Sequence, residues 1–164
     1  MTTTLADWQP FFAALLGAGA TLLGLLFVGL SLNLARIVAT TALPRRAEIA
    51  LMVIVLQIVV AAFGLVPAQP NGAFAAETLL AAGAIWAATT SMNLGLIRTA
   101  ETEQRRTARQ NFALLQLAVL PYLAGGLLML AGRTPALYLI AAGMVACILK
   151  ATLDAWVLLV EINR

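Results

Sequence analysis

The stretch FFAALLGAGATLLGLLFVGLSLNL, residues 11–34, decides the fold of this chain. It holds no charged residue, and as a helix it would extend for about 36 Å, at 1.5 Å per residue. The hydrocarbon core of a bilayer is about 30 Å thick, so such a stretch is typical of a membrane-spanning helix. We therefore predict that residues 11–34 form the first transmembrane helix.

Four further apolar segments follow, at residues 49–66, 77–97, 112–131 and 136–160. The whole chain of 164 residues is 62% hydrophobic and only 10% charged, whereas about a quarter of the residues of a soluble domain are charged. These features predict an all-α fold, an integral membrane bundle of five transmembrane helices that forms one domain over residues 1–164.

The distribution of arginine predicts the orientation of the bundle. The connection after the first segment holds Arg36, Arg45 and Arg46, and the connection after the third holds four more, Arg98, Arg105, Arg106 and Arg109. The connections on the other side hold only Arg133. By the positive-inside rule the arginine-rich loops are cytoplasmic, with the N-terminus outside and the C-terminus inside. We expect these loops to attract anionic lipids.

A short polar signature occurs twice, sixty residues apart. Ser31 and Asn33 close the first apolar segment, and Ser91 and Asn93 close the third. Two interpretations remain open, a tandem duplication of residues 11–66 and 77–131 with an extra helix at 136–160, or two helices that meet the same interface with similar residues. The four side chains either form a polar vestibule or make hydrogen bonds between helices and at a helix end.

Small residues recur along the first segment, where Gly17, Gly24 and Ser31 are spaced by seven. Small residues let helix backbones approach closely in lipid. This face either packs inside the bundle or forms the interface of a homo-oligomer. Gln57 and Gln116 are predicted to support helix packing through hydrogen bonds across helices, with the lining of a water-filled path as the alternative.

Lys150 and Asp154 are four residues apart in the last segment, on the face that also carries Gly143, Cys147 and Glu161. Charges inside a membrane are costly and are functional candidates by default. The alternative is that Lys150 extends its ammonium group towards the inner interface, with Asp154 as its counter-ion.

The composition excludes several kinds of site. The chain has no histidine and a single cysteine, so a Ser–His or Cys–His catalytic pair is impossible. The usual ligands of zinc, iron–sulfur clusters and haem are missing as well. We expect no enzymatic activity, no metal and no cofactor. Because the basic residues lie at helix ends, their membrane role already explains them, and we expect no nucleic-acid partner.

Residues 8–33, with Phe11-Phe12, the stretch Gly24-Leu25-Leu26-Phe27-Val28 and the Ser31-Leu32-Asn33-Leu34 exit, resemble small bacterial polytopic membrane proteins of uncharacterised function. The resemblance implies a location in the bacterial inner membrane and no particular activity.

Two functions are therefore expected. The first is a non-enzymatic accessory or scaffold protein that packs against itself or against a larger membrane complex. The alternative is a small homo-oligomeric channel or transporter for an ion or small solute, which would need the polar residues to converge on a water-accessible path.

Overall fold

The computed structural model describes residues 4–39, 42–99, 102–133 and 135–159. A short 3-10 turn, Leu5–Trp8, leads into α1 (Gln9–Leu32). The remaining helices are α2 (Leu34–Val38), α3 (Ala42–Gly64), α4 (Asn71–Thr99), α5 (Thr102–Leu130) and α6 (Ala136–Leu159). None of these described residues forms a strand, and the prediction of an all-α fold is confirmed.

Five of the helices, all except α2, are long and apolar enough to cross a membrane. The predicted number of spans is thereby confirmed. Four of the five begin earlier than the predicted segments, α1 at Gln9 and α3 at Ala42 among them. The helix α4 begins at Asn71 rather than at residue 77, because the Pro70 carbonyl accepts the backbone N–H of Ala73 and Phe74 at 3.0 and 3.1 Å. The helix α5 begins at Thr102, so the basic stretch before residue 112 is helical.

The first span ends earlier than predicted. The helix α1 stops at Leu32, Asn33 forms a turn, and α2 continues the chain for five residues. By contrast, α4 runs through Asn93 without a break. The two copies of the polar signature thus lie in different backbone settings.

A tight turn joins α5 to α6. Gly132 has a φ of 66°, the left-handed conformation that glycine adopts at low cost. The Gly132 N–H bonds to the Met129 carbonyl at 3.0 Å, and the Arg133 N–H to the Leu128 carbonyl at 2.9 Å. This pair of bonds is the Schellman motif that ends many helices. The chain reverses here, and α6 packs along α5, as the short connection predicts.

The helix α3 lies in the middle of the bundle. It packs against α1, α4 and α6, while α6 also contacts α1 and α5. In the most apolar window of α3, 56% of the residues are buried, against 17% in the windows of α1 and α4. These two helices therefore have few fully buried residues, and their exposed positions remain for lipid or for another chain.

The interior is filled by large side chains. Those with less than 2% exposure include Tyr122, Phe12, Phe74, Leu56 and Leu115. We call the end with the turns at residues 65–70 and 131–133 the turn end, and the end with Arg45, Arg46, Arg98, Arg105, Arg106 and Arg109 the basic end. At the turn end, the rings of Trp8 and Tyr138 meet edge-to-face at 4.9 Å between centroids.

Candidate functional site

A buried ion pair is the most unusual chemical feature of the bundle. Lys150 Nζ and Asp154 Oδ2 form a salt bridge one turn apart on α6. Their side chains are only 5% and 12% exposed. The guanidinium of Arg46, on α3, lies close enough to add a second Coulombic attraction to the Asp154 carboxylate. Each charge thus has a partner, which is the condition for keeping charges away from water.

The pair lies inside the protein near the basic end. Asp154 is one turn nearer to that end than Lys150, so the lysine side chain points towards it, as a snorkelling lysine would. The ammonium group stays among protein atoms, however, and does not face outwards. Trp156, two residues further, is 62% exposed and faces the surroundings. Glu161, the third charge predicted on this face, lies outside the described residues.

Two further residues extend this interior face. The Cys147 thiol, fully buried, donates to the Ala118 carbonyl of α5 at 3.7 Å. The Tyr122 ring packs on Gly143, where an added Cβ atom would lie 2.8 Å from the ring. Sequence reasoning missed Tyr122, since a tyrosine in an apolar segment gives no signal of its partner. These contacts join α5 to α6. The attraction between Arg46 and Asp154 connects the same face of α6 to α3.

The Ser-x-Asn signatures make local hydrogen bonds. Asn33 Nδ2 donates to the Gly29 carbonyl at 3.1 Å, and Asn93 Nδ2 donates to the Thr89 carbonyl at 3.2 Å. Ser31 and Ser91, both exposed, donate to carbonyls one turn back in their own helices. Each of the four side chains thus donates one hydrogen bond to a backbone carbonyl three or four residues before it.

The two glutamines connect helices. Gln57 Nε2, on α3, donates to the Leu15 carbonyl of α1 at 2.8 Å. Gln116 Oε1, on α5, accepts from Trp86 Nε1 at 2.7 Å, and Gln116 Nε2 donates to Thr90 Oγ1 at 3.2 Å. Bonds of this kind are what the sequence predicts for polar side chains within a span.

The predicted packing glycines of α1 lie on its outer surface. A Cβ atom added to Gly17 or Gly24 would have no atom of the chain within 4 Å, and both residues are exposed. The close contact to α3 is made instead at Gly19, where an added Cβ would lie 2.0 Å from Gln57 Oε1. Ser31 shares the outward position of the two open glycines.

The inward and outward faces of α1 carry the same spacing. Phe12, Gly19 and Leu26 are spaced by seven and are buried. The face of Gly17, Gly24 and Ser31 is equally periodic, so the sequence pattern alone does not tell which face meets α3. The deciding contacts are those of α3, where the Phe12 ring lies 2.5 Å from a Cβ added to Gly64.

A comparison of the chain with protein-family models, with curated proteins and with solved structures finds no match. The resemblance of residues 8–33 to small bacterial membrane proteins stays an expectation. Among the described residues, no group of three His, Cys, Asp or Glu side chains is placed to hold a metal ion.

Proposed function

We propose that this protein is a non-enzymatic scaffold of the bacterial inner membrane, with its N-terminus outside, that associates with further copies of itself through the outer face of α1. We call this face, defined by Ala13, Gly17, Ala20, Gly24 and Ser31, the small-residue face.

The observation that carries the proposal is the exposure of the small-residue face. All five of its residues are exposed, and nothing in the chain lies within 4 Å of a Cβ atom added to either glycine. In lipid, helices associate mainly by close backbone approach at small residues, because lipid tails already satisfy apolar side chains. A face of this kind, equal in every copy, suits contact between identical chains.

The interior supports a scaffold rather than a pore within one chain. Large side chains such as Phe12, Phe74 and Tyr122 fill the centre of the bundle. The polar groups of Lys150 and Asp154 pair within α6, and those of Gln116 bond to α4. These groups are therefore engaged inside the bundle, whereas the small-residue face of α1 is exposed. A larger membrane complex that contains this protein would use the same face.

The proposal is tested by adding bulk to the small-residue face. We expect Gly17→Leu with Gly24→Leu to abolish association, because leucine side chains would separate the two backbones. The measurement is energy transfer between donor-labelled and acceptor-labelled copies of the full chain in liposomes at increasing dilution in lipid.

The matched control is Ala14→Leu with Ala18→Leu, which adds bulk to exposed positions of α1 outside the small-residue face. This variant should associate like the wild type. Energy transfer unchanged in the glycine variant, or absent in the wild type, would contradict the proposal. Flux of ions or small solutes through wild-type liposomes would favour the channel alternative instead.

A further inference from the structure

The two groups of arginines at the basic end differ in what they contact. Nη1 of Arg45 lies 2.8 Å from the position of a Cβ atom on Gly95, so this side chain lies against α4. Arg46 acts on the buried Asp154 carboxylate. Arg45 thus lies against α4, and Arg46 adds a weaker attraction to the carboxylate on α6. The arginines of α5 are exposed and lie together around one open space.

The arginines of α5 line a groove. Arg105, Arg106, Arg109, Gln110 and Ala113 surround an open space of about 570 Å³. Three guanidinium groups and one amide supply hydrogen-bond donors around it. A guanidinium group can donate two parallel hydrogen bonds to two oxygen atoms of a phosphate. These residues form the first turns of the candidate span Arg105–Leu130, so we expect the groove to lie at the depth of the lipid headgroups.

An apolar surface continues from the groove along α5. Its exposed residues recur at helical spacing of three and four below Arg109, at Ala113, Leu117, Leu120, Ala124 and Leu127. Leu117 is 66% exposed and Leu127 is 61% exposed. The same face therefore presents donors for an anionic group and, next to them, a surface suited to an acyl chain.

We propose that this face of α5 is a binding site for one anionic phospholipid, with its phosphate in the groove of Arg105, Arg106 and Arg109 and one acyl chain along Ala113, Leu117 and Leu120. Both arginine-rich regions are expected to attract anionic lipids, but only the region on α5 forms this site. It does not depend on self-association, since α1 takes no part in the site.

The test compares lipids on the purified full chain. Detergent-solubilised protein is mixed with equal amounts of phosphatidylglycerol and phosphatidylcholine, and the retained lipid is counted by native mass spectrometry. We expect the wild type to retain one phosphatidylglycerol in preference to phosphatidylcholine. In Arg106→Gln with Arg109→Gln, the preference should fall about tenfold or more, because two charges near the headgroup are lost.

The matched control is Arg98→Gln with Arg133→Gln, which removes the same charge from two exposed arginines outside the groove. This variant should keep the preference within about twofold. An equal loss in both variants, or no preference in the wild type, would overturn the proposal. Displacement of the lipid by glycerol 3-phosphate at equal concentration would also overturn it, because the groove would then bind phosphate without the acyl chain.

Discussion

At the scale of single residues, Gly19 and Gly17 show how two glycines in one helix come to differ. A Cβ atom on Gly19 would lie 2.0 Å from Gln57 Oε1 and 2.9 Å from Ile58 Cγ1. Gly19→Ala must therefore displace the Gln57 side chain from its bond to the Leu15 carbonyl. We expect a loss of about 1–3 kcal/mol in the free energy of unfolding, the usual cost of overpacking, measured by titration with sodium dodecyl sulfate in mixed micelles.

Gly17→Ala is the matched control for this prediction. The substitution adds the same methyl group two residues away, where no atom of the chain lies within 4 Å. Alanine also favours the helix over glycine by up to about 1 kcal/mol. The control should thus unfold at the same denaturant fraction as the wild type or slightly above it. Equal destabilisation by both substitutions would show that Gly19 is not the contact between α1 and α3.

The buried pair of Lys150 and Asp154 could be predicted from its spacing, but its surroundings could not. Residues four apart on a helix meet whatever the fold. The attraction of Arg46 depends on how α3 packs against α6, since the two residues are more than a hundred positions apart in the chain. Contacts of this kind depend on how helices pack, and the spacing of residues within one helix does not predict them.

At the scale of helices, the apolar segments predict the number of spans correctly and their ends less well. Length and apolar content decide whether a segment can cross a bilayer. The start of α4 depends instead on whether residues 70–72 form a turn or the first turn of the helix. Pro70, Asn71 and Gly72 favour a turn, yet the Pro70 carbonyl accepts two helical N–H groups. The polar stretch before residue 112 is made of good helix formers, and the structure joins it to α5 rather than to the end of α4.

The helix α5 carries the prediction of orientation. Arg105 lies in the first turn of α5 and Arg133 beyond its other end, and the arginine distribution predicts that they lie on opposite sides of the membrane. In a Cys147→Ser background, a membrane-impermeant thiol reagent applied to spheroplasts should label Arg133→Cys and spare Arg105→Cys. Lysed cells serve as the control and should show both labelled. Labelling of both positions in intact spheroplasts would contradict the five-span arrangement.

At the scale of the whole molecule, the bundle has a closely packed interior and two distinct faces on its outer surface. The interior uses Phe12, Gly19 and Gly64 to bring α1 and α3 together. The small-residue face of α1 and the basic groove of α5 remain outside. The sequence shows the residues of both faces. Only the packing of the helices decides that Gly17 and Gly24 face outwards while Gly19 faces α3.

We expect copies of this chain to meet at the small-residue face, and disulfide formation between copies can detect that contact. In a Cys147→Ser background, Gly24→Cys and its neighbour Leu25→Cys each place one thiol on the exposed surface of α1. These positions differ by about 100° around the helix. Oxidation in native membranes should yield a covalent dimer of Gly24→Cys and little of Leu25→Cys. No dimer at position 24, or equal dimer at both positions, would show that the copies do not meet at this face.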